Sequence, residues 1–161
     1  MDTQTPDHLK VTTPSDREIR MERVFNAPRA LVYDAFTKPE LLKRWFGPDG
    51  WSLTTCEVDL RVGGAWRFIL TGPGDVRMGM SGEWQELNPP FGSVHIERFD
   101  DYPGESIVTS VLTKTDGRTT LTATVLYPSK EVRDIVIASG MANGAGQSYD
   151  KLADTLAAIK D

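Results

Sequence analysis

Apolar and polar positions begin to alternate at Glu18. Ile19, Met21 and Phe25 share one parity while Glu18, Arg20 and Glu22 share the other, which predicts a half-buried first strand. Asn26-Ala27-Pro28 breaks the alternation. With Pro28 read as the first helical residue, Leu31, Val32, Ala35 and Phe36 recur at helical spacing and predict a short amphipathic helix. Thr37 and Pro39 stop and restart the chain, so Pro39 to Phe46 reads as a second short helix ending at Gly47-Pro48. From Trp51 to Pro128 the pattern becomes strand-like, in about six runs rich in Val, Ile, Thr, Trp and Phe: 51–59, 65–71, 76–87, 93–100, 106–114 and 119–127. Gly63-Gly64, Gly72-Pro73-Gly74-Asp75, Asn88-Pro89-Pro90, Pro103-Gly104 and Asp116-Gly117 separate them. Connections this short permit hairpins only, so an antiparallel meander is expected.

After Ser129 the helical period returns, through Val132, Ile135 and Val136 and then Met141, Ala145, Tyr149, Leu152, Leu156 and Ile159. This predicts a long C-terminal helix of about five turns. A long amphipathic helix beside one antiparallel sheet packs across the inner face of that sheet, giving an α+β fold. Residues 1–16, rich in Thr, Asp and Pro with few large apolar side chains, read as a flexible N-terminal tail, and 17–161 as a single domain.

Several local patterns carry more than periodicity. They are Arg23-Val24-Phe25-Asn26-Ala27-Pro28, Ala35-Phe36-Thr37-Lys38-Pro39, Trp45-Phe46-Gly47-Pro48, Asp59-Leu60-Arg61-Val62-Gly63-Gly64-Ala65-Trp66-Arg67-Phe68, and Gly140-Met141 followed by Gly144 and Ser148-Tyr149-Asp150-Lys151-Leu152. In this order the chain resembles the START-like (helix-grip, SRPBCC) superfamily, in the branch similar to the C-terminal domain of the activator of Hsp90 ATPase. The resemblance implies a curved sheet of about seven strands gripping the long C-terminal helix, and between them a cavity that in many relatives holds an apolar small molecule. The relative that stimulates Hsp90 carries an additional N-terminal domain where this chain has a short tail, which weakens the analogy to Hsp90 activation. A shared scaffold does not by itself fix a shared function.

Trp66 and Phe68 in one run and Met78, Met80 and Trp84 in the next are all even-numbered, which places them on one face of their hairpin. With Trp45 and Phe46 from the second helix and Met141, Gly144 and Tyr149 from the last, they make a candidate wall for an apolar or aromatic ligand. Filling an ordinary core is the alternative. Gly140, Gly144 and Gly146 each cost about 1 kcal/mol in a helix interior. Either they leave room for a ligand, or they mark close backbone approach or a break between a short helix over 130–138 and the long one beyond it.

Composition narrows the function. Lys and Arg number 18 against 23 Asp and Glu, a net charge of −5, and mean hydropathy is −0.33. This balance disfavours nucleic acid and anionic membrane surfaces as partners. The N-terminus has no signal-peptide pattern, no apolar run approaches the ~20 residues that span a bilayer, and no Asn-x-Ser/Thr sequon occurs, so the cytoplasm is the expected compartment. The single cysteine, Cys56, reads as a small buried hydrophobe, and with His8 and His95 as the only histidines no metal site is expected. His95 reads as a surface or packed strand histidine. Arg67, Glu83, Glu97 and Arg98 read as ion pairs on the outer face, the exception being a carboxylate turned inward, whose raised pKa would make it a candidate acid. Gly79-Met80-Ser81-Gly82 is no nucleophile elbow and Gly72-Pro73-Gly74-Asp75 no phosphate loop. These readings lead to a cofactor-free binding domain for an apolar or aromatic small molecule, with no catalytic residue assigned. The alternatives are a protein-interaction module that docks on a chaperone of the Hsp90 type and, third, an enzyme acting on an aromatic or polyketide-like substrate.

Overall fold

The computed structural model describes residues 9–160. Eight strands among these residues form one antiparallel sheet: β1 (Lys10–Thr12), β2 (Glu18–Phe25), β3 (Ser52–Val58), β4 (Ala65–Thr71), β5 (Arg77–Asn88), β6 (Gly92–Phe99), β7 (Ser106–Thr115) and β8 (Arg118–Leu126). Their spatial order is β1-β2-β8-β7-β6-β5-β4-β3. Helices α1 (Arg29–Thr37) and α2 (Pro39–Trp45) connect β2 to the far edge of the sheet, and α3 (Lys130–Ala138) and α4 (Met141–Lys160) follow β8. This is the α+β helix-grip architecture. The hairpin meander accounts for every pairing from β3 to β8, while the first long strand pairs with the last, Glu18↔Leu126 through Phe25↔Thr119.

Inward and outward residues alternate as the sequence pattern requires. Ile19, Met21, Arg23 and Phe25 are buried along β2, and Thr119, Leu121, Ala123 and Val125 along β8. On β4 the buried positions are Trp66, Phe68 and Leu70. Leu152 and Leu156 of α4 are fully buried against this face, as are Trp45 and Leu42 of α2. Side chains of this size each contribute about 2–3 kcal/mol by leaving water.

Four details differ from the sequence reading. Residues 10–12, inside the segment read as a tail, form a short edge strand paired with β2, while residues 1–8 of that segment lie outside the described residues. Pro28 is the extended residue before α1 (φ −68°, ψ 150°) rather than its first helical one. The C-terminal helical pattern is two helices, because Gly140 sits at φ 83° and breaks it. That is the break left open as one meaning of the glycines, and a left-handed residue ending α3 explains why glycine stands there. Finally, β5 shifts register between Trp84 and Glu86, so parity counted beyond Trp84 fails.

Candidate functional site

The helix that covers the concave face is tied down by two of the sequence patterns acting on each other. Ser148 Oγ accepts a hydrogen bond from the Gly47 amide at 2.7 Å, Gln147 Oε1 accepts from the Asp49 amide at 2.9 Å, and Arg23 Nη1 donates to Asp150 at 2.8 Å. Gly47 stands at φ 118°, where a Cβ would press on Leu70 at 2.9 Å. The loop after α2 thus needs glycine to reach α4. A second pattern fixes the other side of the sheet: Gly63 donates to the Trp84 carbonyl at 2.7 Å and the Trp84 amide donates to Gly64 at 2.9 Å. The 59–68 segment therefore positions Trp84.

The aromatic candidates divide into two adjoining groups. Trp45 is 2% exposed, its indole N–H donates to the Ala35 carbonyl at 3.0 Å, and its ring lies 5.0 Å from Phe36 and 6.0 Å from Tyr149. Its polar end is already used by the backbone. Phe46 bridges outward, 5.5 Å from Trp45 and 5.1 Å from Phe68, and Phe68 lies 4.9 Å from Trp66. The sheet places Met80 opposite Phe68 and Met78 opposite Leu70, Met80 buried and Met78 half-buried. Met141 is half-buried at the start of α4. Gly144 faces Pro48 instead of the sheet, with 3.6 Å available to an added Cβ. The structure therefore brings Trp45, Phe46, Trp66, Phe68 and Tyr149 into one ring chain, and sets Gly144 against the loop after α2.

His95 and Glu97 are the chemically distinctive residues of this interior. The His95 ring lies 5.4 Å from both Trp66 and Trp84, edge to face. His95 Nδ1, Trp66 Nε1 and Trp84 Nε1 are all buried without a hydrogen-bond partner. An unpaired buried polar group costs about 1–3 kcal/mol. Three of them on touching rings form an unsatisfied polar cluster inside an aromatic wall. Burial holds the His95 imidazole neutral, pushing its pKa down to about 4. Beside it a cavity of about 40 Å³ opens between the sheet and α1, lined by His95, Trp84, Tyr33, Phe36, Ser110 and Leu121 among others.

Glu97 faces the same interior two residues along β6, opposite the buried Ser106. This corrects its assignment to the outer face. Adjacent residues of a strand point to opposite sides, and it is Arg98 that turns outward to grip Glu83 through both its Nη atoms at 2.6 and 2.9 Å. That outer pairing is as expected, although Arg67 pairs with Asp100 rather than with Glu83. Glu97 makes no hydrogen bond or ion pair among the described residues, and desolvation pushes its carboxyl up to about 7. Burial raises the Tyr127 and Tyr149 phenols, with the nearby Glu97 carboxylate adding to the effect. Cys56 is half-buried, and desolvation outweighs the attraction of Lys43 and lifts its thiol to about 11. Among the described residues no cluster of three or more His, Cys, Asp and Glu is placed to hold a metal ion, and no helix is long and apolar enough to cross a membrane.

The sheet order, the helix across its concave face and the two interlocking patterns are those of a known family. A profile described as Activator of Hsp90 ATPase homolog 1-like protein matches residues 26–157. The chain belongs to this family. Among solved structures, a Rhodobacter sphaeroides protein is 34% identical, with 94% of this chain and 99% of that one aligned at a TM-score of 0.91. A Nitrosomonas europaea protein is 26% identical over 91% of this chain and 97% of its own, at 0.81. A Silicibacter pomeroyi protein titled AHSA1, 21% identical over 88% of this chain and 99% of its own, shares the fold at 0.73. No curated protein matches the chain. The family is one of SRPBCC domains of the ligand-binding or co-chaperone type.

Proposed function

We propose that this domain binds a small organic molecule in the interior between its helices and the concave face of the sheet, where the cavity lies against α1 instead of the expected α4. The observation that carries the reading is the contact of Trp66, Trp84 and His95, three rings that each bury an unpaired nitrogen, with Trp84 and His95 also lining a cavity between the sheet and α1. A core selected for packing alone places a phenylalanine or leucine at such positions, because each orphaned N–H opposes folding. Phe68, Phe46 and Met80 supply the apolar walls next to the cluster, and Met78 and Met141 adaptable edges. A pocket of about 40 Å³ is far below the roughly 300 Å³ that small-molecule sites commonly reach. Binding therefore includes an expansion of this space.

Native mass spectrometry of the freshly purified protein, set against the denatured chain, tests the reading. An adduct of small-molecule mass, or saturable uptake of the uncharged fluorophore N-phenyl-1-naphthylamine, is the expected result. A bare mass together with no uptake refutes it. The second reading, a surface that docks on an Hsp90-type chaperone, draws on the family description and on Ile135 and Ile137, both exposed on α3. Binding to a purified chaperone of this type that is lost in an Ile135→Asp/Ile137→Asp variant would favour it.

A further inference from the structure

We propose that the interior selects an uncharged aromatic ligand carrying an acceptor oxygen, such as an aryl ketone, and that the Trp66–His95–Trp84 cluster is where that oxygen sits. The inference rests on the binding reading above and adds the ligand's chemistry to it.

The donor inventory of the cluster makes the choice. An indole N–H can only donate. The two unpaired indoles, Trp66 and Trp84, each contact the same imidazole, so a group that satisfies them must present acceptor lone pairs. A carbonyl oxygen has two. Glycine at position 82 lets the Trp66 indole lie across β5 to reach His95: a Cβ there would come within 2.8 Å of Trp66 Nε1 and would overlap the Ile96 carbonyl oxygen. The aromatic part of the ligand follows from the rings continuous with the cluster, Phe68 and then Phe46.

Charge excludes the neighbouring classes. A carboxylate or phosphate would enter an interior whose titratable groups with shifted pKa values are His95, Glu97, Tyr33, Tyr127 and Tyr149, with no cation among them. Two arginines bury guanidinium nitrogens: Arg23 on β2, separated from β6 by β8 and β7 and engaged by Asp150 of α4, and Arg29 at the start of α1, stacked 4.4 Å from the Phe91 ring. An ammonium group would satisfy Glu97 but leave both indole N–H groups facing a donor. A neutral acceptor is the class that none of these groups opposes.

The test compares four probes of one shape: 2-acetonaphthone, its hydrocarbon isostere 2-isopropenylnaphthalene, 2-naphthoate and 2-naphthylmethylammonium, each titrated by quenching of tryptophan fluorescence. In the wild type the ketone should bind on the order of tenfold more tightly than the hydrocarbon, and both ions more weakly than the ketone. Trp66→Phe and Trp84→Phe keep a ring in place while removing one N–H each, and each should shrink the ketone-to-hydrocarbon ratio, the pair together bringing it near one. Because the ratio is read within each variant, a general loss of affinity or stability leaves it interpretable. Equal binding of ketone and hydrocarbon by the wild type overturns the inference while the binding reading stands. So does a preference for either ion, or a ratio that survives both substitutions. If no probe binds at all, the inference is overturned, while the binding reading is decided separately by the native mass and the dye uptake.

Discussion

Glu97→Gln is the substitution whose effect the structure determines most fully. The wild-type carboxyl is half-buried on β6 with no cation or donor bound to it, and desolvation raises its pKa from an ordinary 4.5 to about 7. Between those values the folded protein holds a proton that the unfolded chain has released. The stability contributed by the protonated Glu97 is therefore fully present below pH 4.5 and is lost as pH rises through 7, by a total of about 3 kcal/mol for 2.5 pKa units at 1.36 kcal/mol each. Glutamine keeps the shape and cannot ionise. His95 acts in the opposite sense, its pKa falling from 6.5 to about 4, so the stability it contributes is present above 6.5 and is lost as pH falls toward 4. The two slopes oppose one another over the shared window, and wild-type stability should be nearly flat in their combined contribution from pH 4.5 to 6.5. Urea unfolding at pH 5 and pH 8 resolves the terms. Glu97→Gln should gain about 2–3 kcal/mol on wild type between those two pH values, whatever constant cost the amide carries at both. In Tm this corresponds to about 5–10 °C for a chain of this size. Exposed pairs such as Arg67–Asp100 and Lys130–Asp134 are common to both proteins and cancel in the difference. A gap between variant and wild type that stays constant from pH 5 to pH 8 would show that Glu97 ionises freely in the fold, and the account of a desolvated carboxyl would be wrong.

Gly82→Ala should cost about 3 kcal/mol or more in chemical denaturation, since the new methyl meets the Ile96 backbone oxygen, which cannot turn aside; a loss below 1 kcal/mol would contradict the packing described. Gly146 is within α4 with nothing inside 4 Å of an added Cβ, so Gly146→Ala should raise stability by about 1 kcal/mol, measured the same way. Ser148→Ala removes the acceptor of the buried Gly47 amide and should destabilise by about 1–3 kcal/mol, and faster hydrogen exchange of that amide would report the same loss. Cys56, with its thiol held near 11, should react with Ellman's reagent at pH 8 far more slowly in the folded protein than in urea.

Most strands and helices were legible because their signals are local. The alternation of Ile19, Met21 and Phe25, the helical recurrence of Tyr149, Leu152 and Leu156, and turn residues at each hairpin need only neighbours a few positions apart. The aromatic side of the candidate site was legible for the same reason, since Trp66, Phe68, Met80 and Trp84 share a parity that the register preserves. Glu97 was within reach of the same rule and was missed by placing it with Arg98, although two consecutive strand residues cannot face one side. Its environment was not within reach: nothing near position 97 in the sequence records that Ser106, Tyr127 and Tyr149 close over it from three other parts of the chain.

The sequence by itself determined the order of elements, the antiparallel hairpins and the two interlocking patterns that identify the family, because each is written in short-range spacing. Only the tertiary structure decided that the Trp45 indole N–H is spent on Ala35, that those of Trp66 and Trp84 remain unpaired, and that Trp66 lies across Gly82. Those outcomes depend on which side chains meet after residues tens of positions apart are brought together, and on whether water is excluded where they meet. Burial and partnership are properties of that assembled surface, so the chemistry of the interior follows from the packing of α4 and the sheet.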